Sequence, residues 1–164
     1  MLTVRNHISR YLSLSSLMVL AALVFGTAAQ ATELRLPKPN ISPEEVVRIQ
    51  LAALMENDTP NQDFGIRQTW AFAHPDNRQV TGPIDRFIEM LKKPAYAPLI
   101  NHRRHTVTEQ NVATTWVQFK VMMEDEGGRV LAFAWVVKKV EGGIFDDCWM
   151  TSAVSAPVLA GQGS

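Results

Sequence analysis

Two adjacent aspartates, Asp146 and Asp147, are the residues of this 164-residue sequence with the clearest potential for chemistry. A carboxylate enclosed by apolar side chains has a raised pKa and can act as a general base on an acidic carbon. If the two lie on a β-strand, their side chains point to opposite faces and cannot act together on one substrate. The alternative interpretation is structural: one aspartate is exposed, and the other caps a turn or pairs with a basic residue.

A second polar cluster is formed by the run His102-Arg103-Arg104-His105. A strand through this run would point His102 and His105 to opposite faces, which argues against a shared metal ion. The two arginines are compatible with an anion site, and a solvated strand start explains the same run without a ligand. The sequence has no Gly-rich phosphate loop, no nucleophilic serine motif and no metal motif. We therefore expect neither a cofactor nor a metal.

Aromatic residues could line a cavity that holds a small apolar ligand, although aromatic residues at such spacings also build ordinary cores. The candidate ligand-binding residues are Trp70, Tyr96, His102, Trp116 and Trp135. Trp149 has the same potential.

The sheet that must position these residues is predicted by three strand-like runs separated by two Gly-Gly turns. Residues 112–125 alternate between apolar and polar side chains. Residues 130–140 are apolar on both faces at their start, which is typical of a covered central strand. Residues 144–151 return as a third strand. A fourth strand is expected at 102–109, with a reversal at Gln110-Asn111.

Three helices are predicted before the sheet. Ser42-Pro43-Glu44-Glu45 is a strong helix start, with an N-cap serine, a first-turn proline and a capping glutamate. This helix should end near residues 57–60, and a second helix is predicted over 63–73, stopped by Pro75. A third begins at 81–83 and ends at Pro94. Helices followed by a meander of strands predict an α+β fold with the helices packed on one face of an antiparallel sheet.

The doubly apolar strand also predicts self-association. The helices can cover one face of the sheet, whereas the other face would leave an apolar surface in water. A second copy of the chain, packed sheet against sheet, is the simplest cover. We therefore expect a homodimer.

Residues 1–31 have the three parts of a secretory signal: a positive end, an apolar run and an Ala-x-Ala cleavage site that ends at Ala31. We expect a periplasmic or secreted protein with an extended leader over 32–41, one domain over 42–152 and a flexible tail over 153–164. After cleavage, 14 basic and 16 acidic residues remain. This balance gives no electrostatic reason to expect nucleic acid or an anionic membrane as a partner.

Cys148 is the only cysteine of the sequence. An intramolecular disulfide is therefore impossible even in an oxidising compartment. A single thiol inside an apolar strand is most simply a small buried side chain, and an intermolecular bridge or a reactive role is the alternative.

Several short patterns resemble a bacterial family that is known only as a domain of unknown function: Gln50-Leu51-x-Ala53-Leu54, Phe72-Ala73-His74-Pro75, Phe87 with Met90, Tyr96-x-Pro98-Leu99, and Asp146-x-Cys148. That family is similar to the nuclear transport factor two-like superfamily, which includes the ketosteroid isomerase-like cones. The resemblance covers about residues 46–149. It departs at Gly142-Gly143, where the pattern has a tryptophan.

The resemblance implies a curved antiparallel sheet that wraps around helices and forms a cone with a pocket. The superfamily contains isomerases, dehydratases and epoxide hydrolases beside non-catalytic binding modules, so the fold alone does not give the function. We expect an exported, non-catalytic module that binds a small ligand or another protein. The alternative is an enzyme of isomerase, dehydratase or hydrolase type that uses Asp146 or Asp147 as its general base.

Overall fold

The computed structural model describes residues 33–162, and the signal predicted over 1–31 lies outside these residues. Within them the chain forms an α+β fold in which four helices pack against a five-stranded antiparallel sheet. The helices are α1 (Pro43–Met55), α2 (Phe64–Ala71), α3 (Pro75–Thr81) and α4 (Ile84–Leu91). The strands are β1 (Arg104–Val112), β2 (Trp116–Glu124), β3 (Arg129–Lys139), β4 (Trp149–Val154) and β5 (Val158–Gln162).

Helix α1 begins as its sequence predicts. The Ser42 Oγ accepts a hydrogen bond from the Glu45 amide at 3.2 Å, and Pro43 occupies the first helical position. The buried face of the helix carries Val46, Val47, Gln50, Leu51 and Leu54. Four of these side chains are apolar, and Gln50 is the exception.

Helix α2 packs closely on α1 because its second residue is Gly65. A Cβ atom at this position would lie 2.1 Å from the Ala53 carbonyl oxygen, so any larger residue would push the helices apart. The short segment between the helices is held by Asn57, whose Oδ1 accepts from the Ile66 amide at 3.1 Å.

Helix α3 differs from the sequence prediction, in which Pro75 ends the preceding helix. Proline lacks an N–H but fits the first turn of a helix, and here it starts a new one. The His74 Nδ1 accepts from the Asp76 amide at 3.2 Å and caps this start. Arg78 then ties α3 to the end of α2 by donating to the carbonyl oxygens of Trp70 and Ala71 at 2.9 and 2.8 Å.

The sheet has the order β1-β2-β3-β4, and β5 pairs with the same edge of β3 as β4 does. On the inner face, the side chains of β2 and β3 alternate into the core below the helices. The buried residues of this face are Val117, Phe119, Val121, Met123, Leu131, Phe133, Trp135 and Val137. On the outer face of β3 the small apolar side chains of residues 130–136 are only partly exposed.

Two of the predicted strands have different bounds in the structure. Strand β1 continues to Val112 and contains a register shift between Glu109 and Asn111, so the chain reverses after residue 112 and not at 110–111. The predicted strand over 144–151 is wrong in its first half. The two glycines before it have φ of +77° and +74°, and the chain then forms a 3-10 turn over Gly143–Phe145 before β4 begins at Trp149.

The flexible tail predicted from residue 153 is also corrected. Residues 153–154 belong to β4, and Val158–Gln162 form β5, which pairs with Arg129–Ala132 of β3. The small residues at the end of the sequence are the reason that a flexible tail is predicted there. Strand β3 is longer than β4, and β5 pairs with the beginning of β3, where β4 does not reach.

The leader is bound to the domain although it has no regular structure. The Arg35 amide donates to Gln68 Oε1 and the Gln68 Nε2 donates back to the Arg35 carbonyl oxygen, both at 2.8 Å. Ile41 is buried in the same core as α1.

Candidate functional site

A cavity of about 90 Å³ lies between the helices and the inner face of the sheet. Helices α1 to α4 and strands β3 and β4 all contribute to its wall. Its apolar wall includes Leu54, Phe87, Leu91 and Leu99, each of which is buried.

The floor of the cavity is a closed hydrogen-bond network of three side chains. The Thr151 Oγ1 donates to Gln50 Oε1 at 2.6 Å. The Trp135 indole N–H is shared between Gln50 Oε1 at 3.2 Å and Thr151 Oγ1 at 3.0 Å. All three side chains are at most 2 % exposed. Because buried polar groups are costly without partners, this network fixes the positions of all three.

Gln50 is also anchored from its other side. Its Nε2 donates to the Thr69 carbonyl oxygen at 3.0 Å, and the Thr69 Oγ1 donates to the Gly65 carbonyl oxygen at 2.9 Å. The amide orientation of Gln50 is therefore determined by two acceptor contacts and one donor contact. Within the described residues the second N–H of this amide has no hydrogen-bond partner, and Gln50 lines the cavity.

The half-buried residues of the wall mark the side from which the cavity is reached. They are Asn77, Thr81, Met90, Tyr96 and Val154. The Tyr96 hydroxyl donates to the Val154 carbonyl oxygen at 3.2 Å, and the Asn77 Nδ2 donates to the Thr151 carbonyl oxygen at 3.2 Å. These two bonds join the mouth of the cavity to β4.

Among residues 33–162, no Asp, Glu, Lys, Arg or His lines this cavity. Its polar side chains are amides, hydroxyls and one indole, which are uncharged groups. An ion inside it would lose its hydration without a countercharge. The geometry therefore suits a neutral molecule.

Neither candidate base reaches the cavity. Asp146 and Asp147 are exposed and follow the 3-10 turn, so they do not lie on a strand. Asp146 Oδ1 accepts from the Gly142 amide at 2.6 Å, and Asp147 forms an ion pair with Lys139 at 2.5 Å. Asp146 and Asp147 thus make the contacts of the structural interpretation, a turn cap and a partner of a basic residue. A shielded carboxylate facing the cavity, which the enzyme alternative requires, is supplied by neither.

The two histidines of the run 102–105 contact each other, contrary to the expectation that they point apart. His102 precedes β1 and follows Asn101, which has a φ of 54°, so strand alternation does not apply to it. The His102 Nδ1 lies 2.8 Å from the Leu99 carbonyl oxygen, and its Nε2 lies 2.8 Å from the His105 Nδ1. A carbonyl only accepts, so the first contact places a proton on the His102 Nδ1. His105 then donates to the His102 Nε2.

This histidine pair is held in its neutral form. The pKa of His102 is lowered to about 4, mainly by burial; the hydrogen bond to the Leu99 carbonyl opposes this effect, and the neighbouring His105 adds a smaller lowering. Burial and the positive charge of Arg48 lower the pKa of His105 as well. His102 does not line the cavity, so its role as a ligand-binding candidate is not supported.

The arginines of the same run are already paired. Arg103 and Arg104 both form ion pairs with the buried carboxylate of Glu124, at 3.3 and 2.5 Å. The interpretation as an anion site is therefore weakened, because the positive charges face a carboxylate.

Two of the aromatic candidates, Tyr96 and Trp135, line the cavity, and the others do not. Trp70 packs against Phe87 with 5.0 Å between ring centroids, and the Arg78 guanidinium lies over its ring. Trp116 is exposed at the start of β2. Trp149, at the start of β4, lies near the Lys139 ammonium.

Cys148 is buried, as expected, although it lies in the turn before β4 and not within a strand. Burial raises the pKa of its thiol, and the neighbouring Asp147 and Asp146 raise it further. The reactive form of cysteine is the thiolate, so this environment favours an inert side chain.

Sequence reasoning did not identify the polar residues of the floor, Gln50, Thr69 and Thr151. A signal was present for Gln50, which shares a helix face with Val46, Leu51 and Leu54. A polar side chain at a core position must have a buried partner. The identity of that partner, more than 80 residues away, could not be read from the helix pattern.

In residues 33–162 no three His, Cys, Asp or Glu side chains are grouped closely enough to hold a metal ion. None of the helices in this range has the length and apolar character needed to cross a membrane.

No family model matches the sequence, and comparison with curated proteins and with solved structures finds no significant match.

Proposed function

We propose that this protein is an exported, non-catalytic module that binds a small neutral ligand in the cavity between its helices and its sheet. The observation that carries the proposal is the wall of the cavity, which combines apolar side chains with a fixed, uncharged polar floor. Ligand sites are typically apolar with a few polar groups that orient the ligand. The α+β architecture is compatible with a nuclear transport factor two-like cone, and we propose that the cavity is the pocket of such a cone.

The volume sets the size of the ligand. A cavity of about 150 Å³ holds benzene in another protein. The present cavity, at about 90 Å³, accepts a smaller molecule without rearrangement, or an aromatic ring if Met90 or Tyr96 changes its rotamer. The free N–H of the Gln50 amide favours a ligand with one hydrogen-bond acceptor. A short-chain alcohol, ketone or amide, or a simple phenol, fits this description.

Native mass spectrometry of the protein isolated from its own extracytoplasmic compartment tests the proposal. We expect a reproducible adduct of small mass that is lost on unfolding. A panel of small neutral molecules, followed by thermal unfolding, then identifies the class, since a ligand at 100 times its Kd adds about 2.7 kcal/mol to the stability.

A matched pair of variants links the adduct to the cavity. Val154→Phe fills the mouth of the cavity from a half-buried position, whereas Ala153→Phe adds the same side chain at an exposed neighbour on the other face of β4. We expect the first variant to lose the adduct and the second to keep it. An adduct that survives in both, or a protein without any adduct or thermal response, would overturn the proposal.

Self-association remains part of the proposal, but packing sheet against sheet has an electrostatic cost. Lys120 and Lys138 extend from the outer face together with Val136, as the register of β2 and β3 shows. A two-fold axis near the centre of this face would bring like charges together. The partly buried state of the small side chains on β3 also leaves less apolar surface to cover than the sequence suggested.

A further inference from the structure

The strand β1 lies at a free edge of the sheet. It pairs with β2 on one side, and no strand within residues 33–162 pairs with its other side. On the far side of the sheet, the edge of β4 is occupied in part by Ala73, which forms a parallel bridge with Thr151. A nine-residue edge with unpaired backbone groups is a template for another strand.

The hydrogen bonds of β2 show which of its residues face β1. The Ala113 amide donates to the Trp116 carbonyl oxygen at 2.8 Å, which directs Trp116 towards β1. At the other end, the Asp125 amide donates to the Arg129 carbonyl oxygen at 3.0 Å, which directs Asp125 towards β3. Bonded and non-bonded pairs alternate along an antiparallel ladder. The even-numbered residues of β2 therefore bond to β1, and the odd-numbered residues bond to β3.

This alternation fixes the free groups of β1. Arg104, Thr106 and Thr108 lie opposite even-numbered residues of β2, so their backbone groups bond inward. The N–H and C=O groups of His105, Val107 and Glu109 therefore point away from the sheet. The Glu109 carbonyl oxygen also accepts from the Gln110 Nε2 at 3.1 Å, which leaves it one lone pair for a partner strand.

We infer that β1 pairs with β1 of a second copy of this chain, antiparallel, about a two-fold axis at Val107. In this register Val107 lies opposite the partner's Val107, and His105 lies opposite the partner's Glu109. The outward groups of all three residues, His105, Val107 and Glu109, are then bonded, giving about six hydrogen bonds in total. A register shifted to either side leaves at least one of the three without a partner.

The side chains agree with this register. Thr106 lies opposite the partner's Thr108, and such threonine pairs are favourable across antiparallel strands. The carboxylate of Glu109 faces the partner's His105, near the positive charge of Arg48 in that subunit. No like charges are directly opposed between residues 104 and 110 of the two copies. The register shift at Glu109 to Asn111 bends the strand and ends the pairing, which limits it to about five residues.

An interface of this length is at the small end of specific interfaces. We expect a Kd of about 1–100 µM, so the dimer forms at high local concentration and dissociates on dilution. Both cavities remain accessible, because the edge of β1 does not contribute to the cavity wall.

Oxidative cross-linking tests the register directly. A Val107→Cys side chain would lie opposite its own copy, with a Cα separation of about 5.5 Å that suits a disulfide. Glu109→Cys is the matched control: it is more exposed, but the two copies would be about 14 Å apart, from four residues at about 3.4 Å each. We expect Val107→Cys to cross-link at least about tenfold faster. The native Cys148 is 3 % exposed and does not compete.

Two proline variants test the same edge without a cross-linking reaction. Val107→Pro removes an N–H that points outward, and proline is tolerated at such edge positions. We expect it to abolish the dimer in sedimentation experiments while the monomer stays folded. Thr108→Pro removes an N–H bonded to β2 and should instead lower the unfolding temperature of the monomer.

Three results would overturn the inference. One is a protein that sediments as a monomer at about 200 µM, twice the upper end of the expected Kd range. Another is cross-linking of Glu109→Cys as fast as that of Val107→Cys. The third is a dimer that survives Val107→Pro, which would point to the outer face of the sheet. None of these results depends on the ligand experiments, so the ligand-binding proposal and the edge-to-edge dimer fail separately.

Discussion

Two polar clusters of the domain differ in the groups from which they are built. The cavity floor consists of an amide, an indole and a hydroxyl, from Gln50, Trp135 and Thr151. The second cluster consists of two imidazoles, from His102 and His105. The first borders an internal cavity, whereas the second joins the buried His102 to the half-buried His105 and contributes nothing to the cavity wall.

Because the two clusters consist of different groups, ligand binding at the cavity floor should not depend on pH, whereas the stability of the fold should depend on pH through the histidines. The floor network does not change its protonation between pH 4 and 8, as its groups titrate outside this range or not at all. The histidines do change, and their protonation opposes folding. The hydrogen bonds of the cavity floor therefore persist from pH 4 to 8, while the free energy of unfolding changes with pH because of the histidines.

The largest effect should come from removing the indole of the floor. Trp135→Phe deletes the N–H that Gln50 and Thr151 share and enlarges the cavity, so we expect a loss of about 2–4 kcal/mol in the free energy of unfolding. Urea unfolding followed by circular dichroism measures it. Trp116→Phe, at an exposed position of the same sheet, is the control and should change the stability by less than about 0.5 kcal/mol. Equal losses in both variants would show that the floor network has no special role.

The histidine pair should produce the next effect, which depends on pH. The pKa of His102 is about 4 in the fold and near 6.5 when unfolded, so between these values the unfolded chain binds more protons. The free energy of unfolding should therefore fall as the pH falls from about 6.5 to 4, by up to about 3 kcal/mol for this group. Below pH 4 its contribution no longer changes.

Replacing the imidazole of His102 isolates its contribution to the pH dependence of stability. His102→Asn cannot titrate, and its stability curve should approach that of the native protein as the pH falls towards 4. Urea unfolding at several pH values gives both curves. Curves that stay parallel from pH 7 to 4 would exclude His102 as a cause of acid destabilisation.

A smaller and pH-independent effect is expected at Thr151. Thr151→Val keeps the shape of the side chain but removes the hydroxyl that donates to Gln50 and accepts from Trp135. We expect a loss of about 1–3 kcal/mol, equal at pH 5 and 7.5. Thr114→Val, at an exposed position between β1 and β2, is the control and should change the stability by less than about 0.5 kcal/mol. A loss at Thr151 that varied with pH would connect the two clusters and contradict their separation.

The smallest effect is expected outside both clusters. Asp147→Asn breaks an ion pair with Lys139 in which the aspartate side chain is 63 % exposed. Such pairs contribute little, so stability should change by less than about 0.5 kcal/mol, and adducts in the cavity should be unaffected. Loss of the adduct in this variant would restore Asp147 as a functional residue.

Periodic features of the fold could be predicted from the sequence. The start of α1, the hairpin between β2 and β3, and the α+β order all follow from local patterns at Ser42, at the Gly-Gly turn and along β3. Local patterns failed where one residue type has two uses. Pro75 starts a helix as readily as it ends one, and the glycines before Ile144 led into a 3-10 turn.

The candidate site was predicted only in part. Tyr96 and Trp135 were identified because aromatic side chains commonly line cavities. The aspartates were selected for their chemistry, but the backbone places them at the surface, because Asp147 has a φ of 59° and ends a turn. The contact between His102 and His105 depends on where β1 begins, and a shift of two residues in that boundary reverses the expectation.

The floor of the cavity also has a consequence for how the protein is made. Gln50 is bonded to Trp135, 85 residues away, and to Thr151, 101 residues away. Contacts that close such long loops carry the largest entropic cost and form late in folding. The cavity is therefore complete only when β4 has joined the sheet, after nearly the whole described chain has been assembled. A ligand of the cavity would bind the folded state and not the partly folded intermediates. We therefore expect it to slow unfolding more than it accelerates folding.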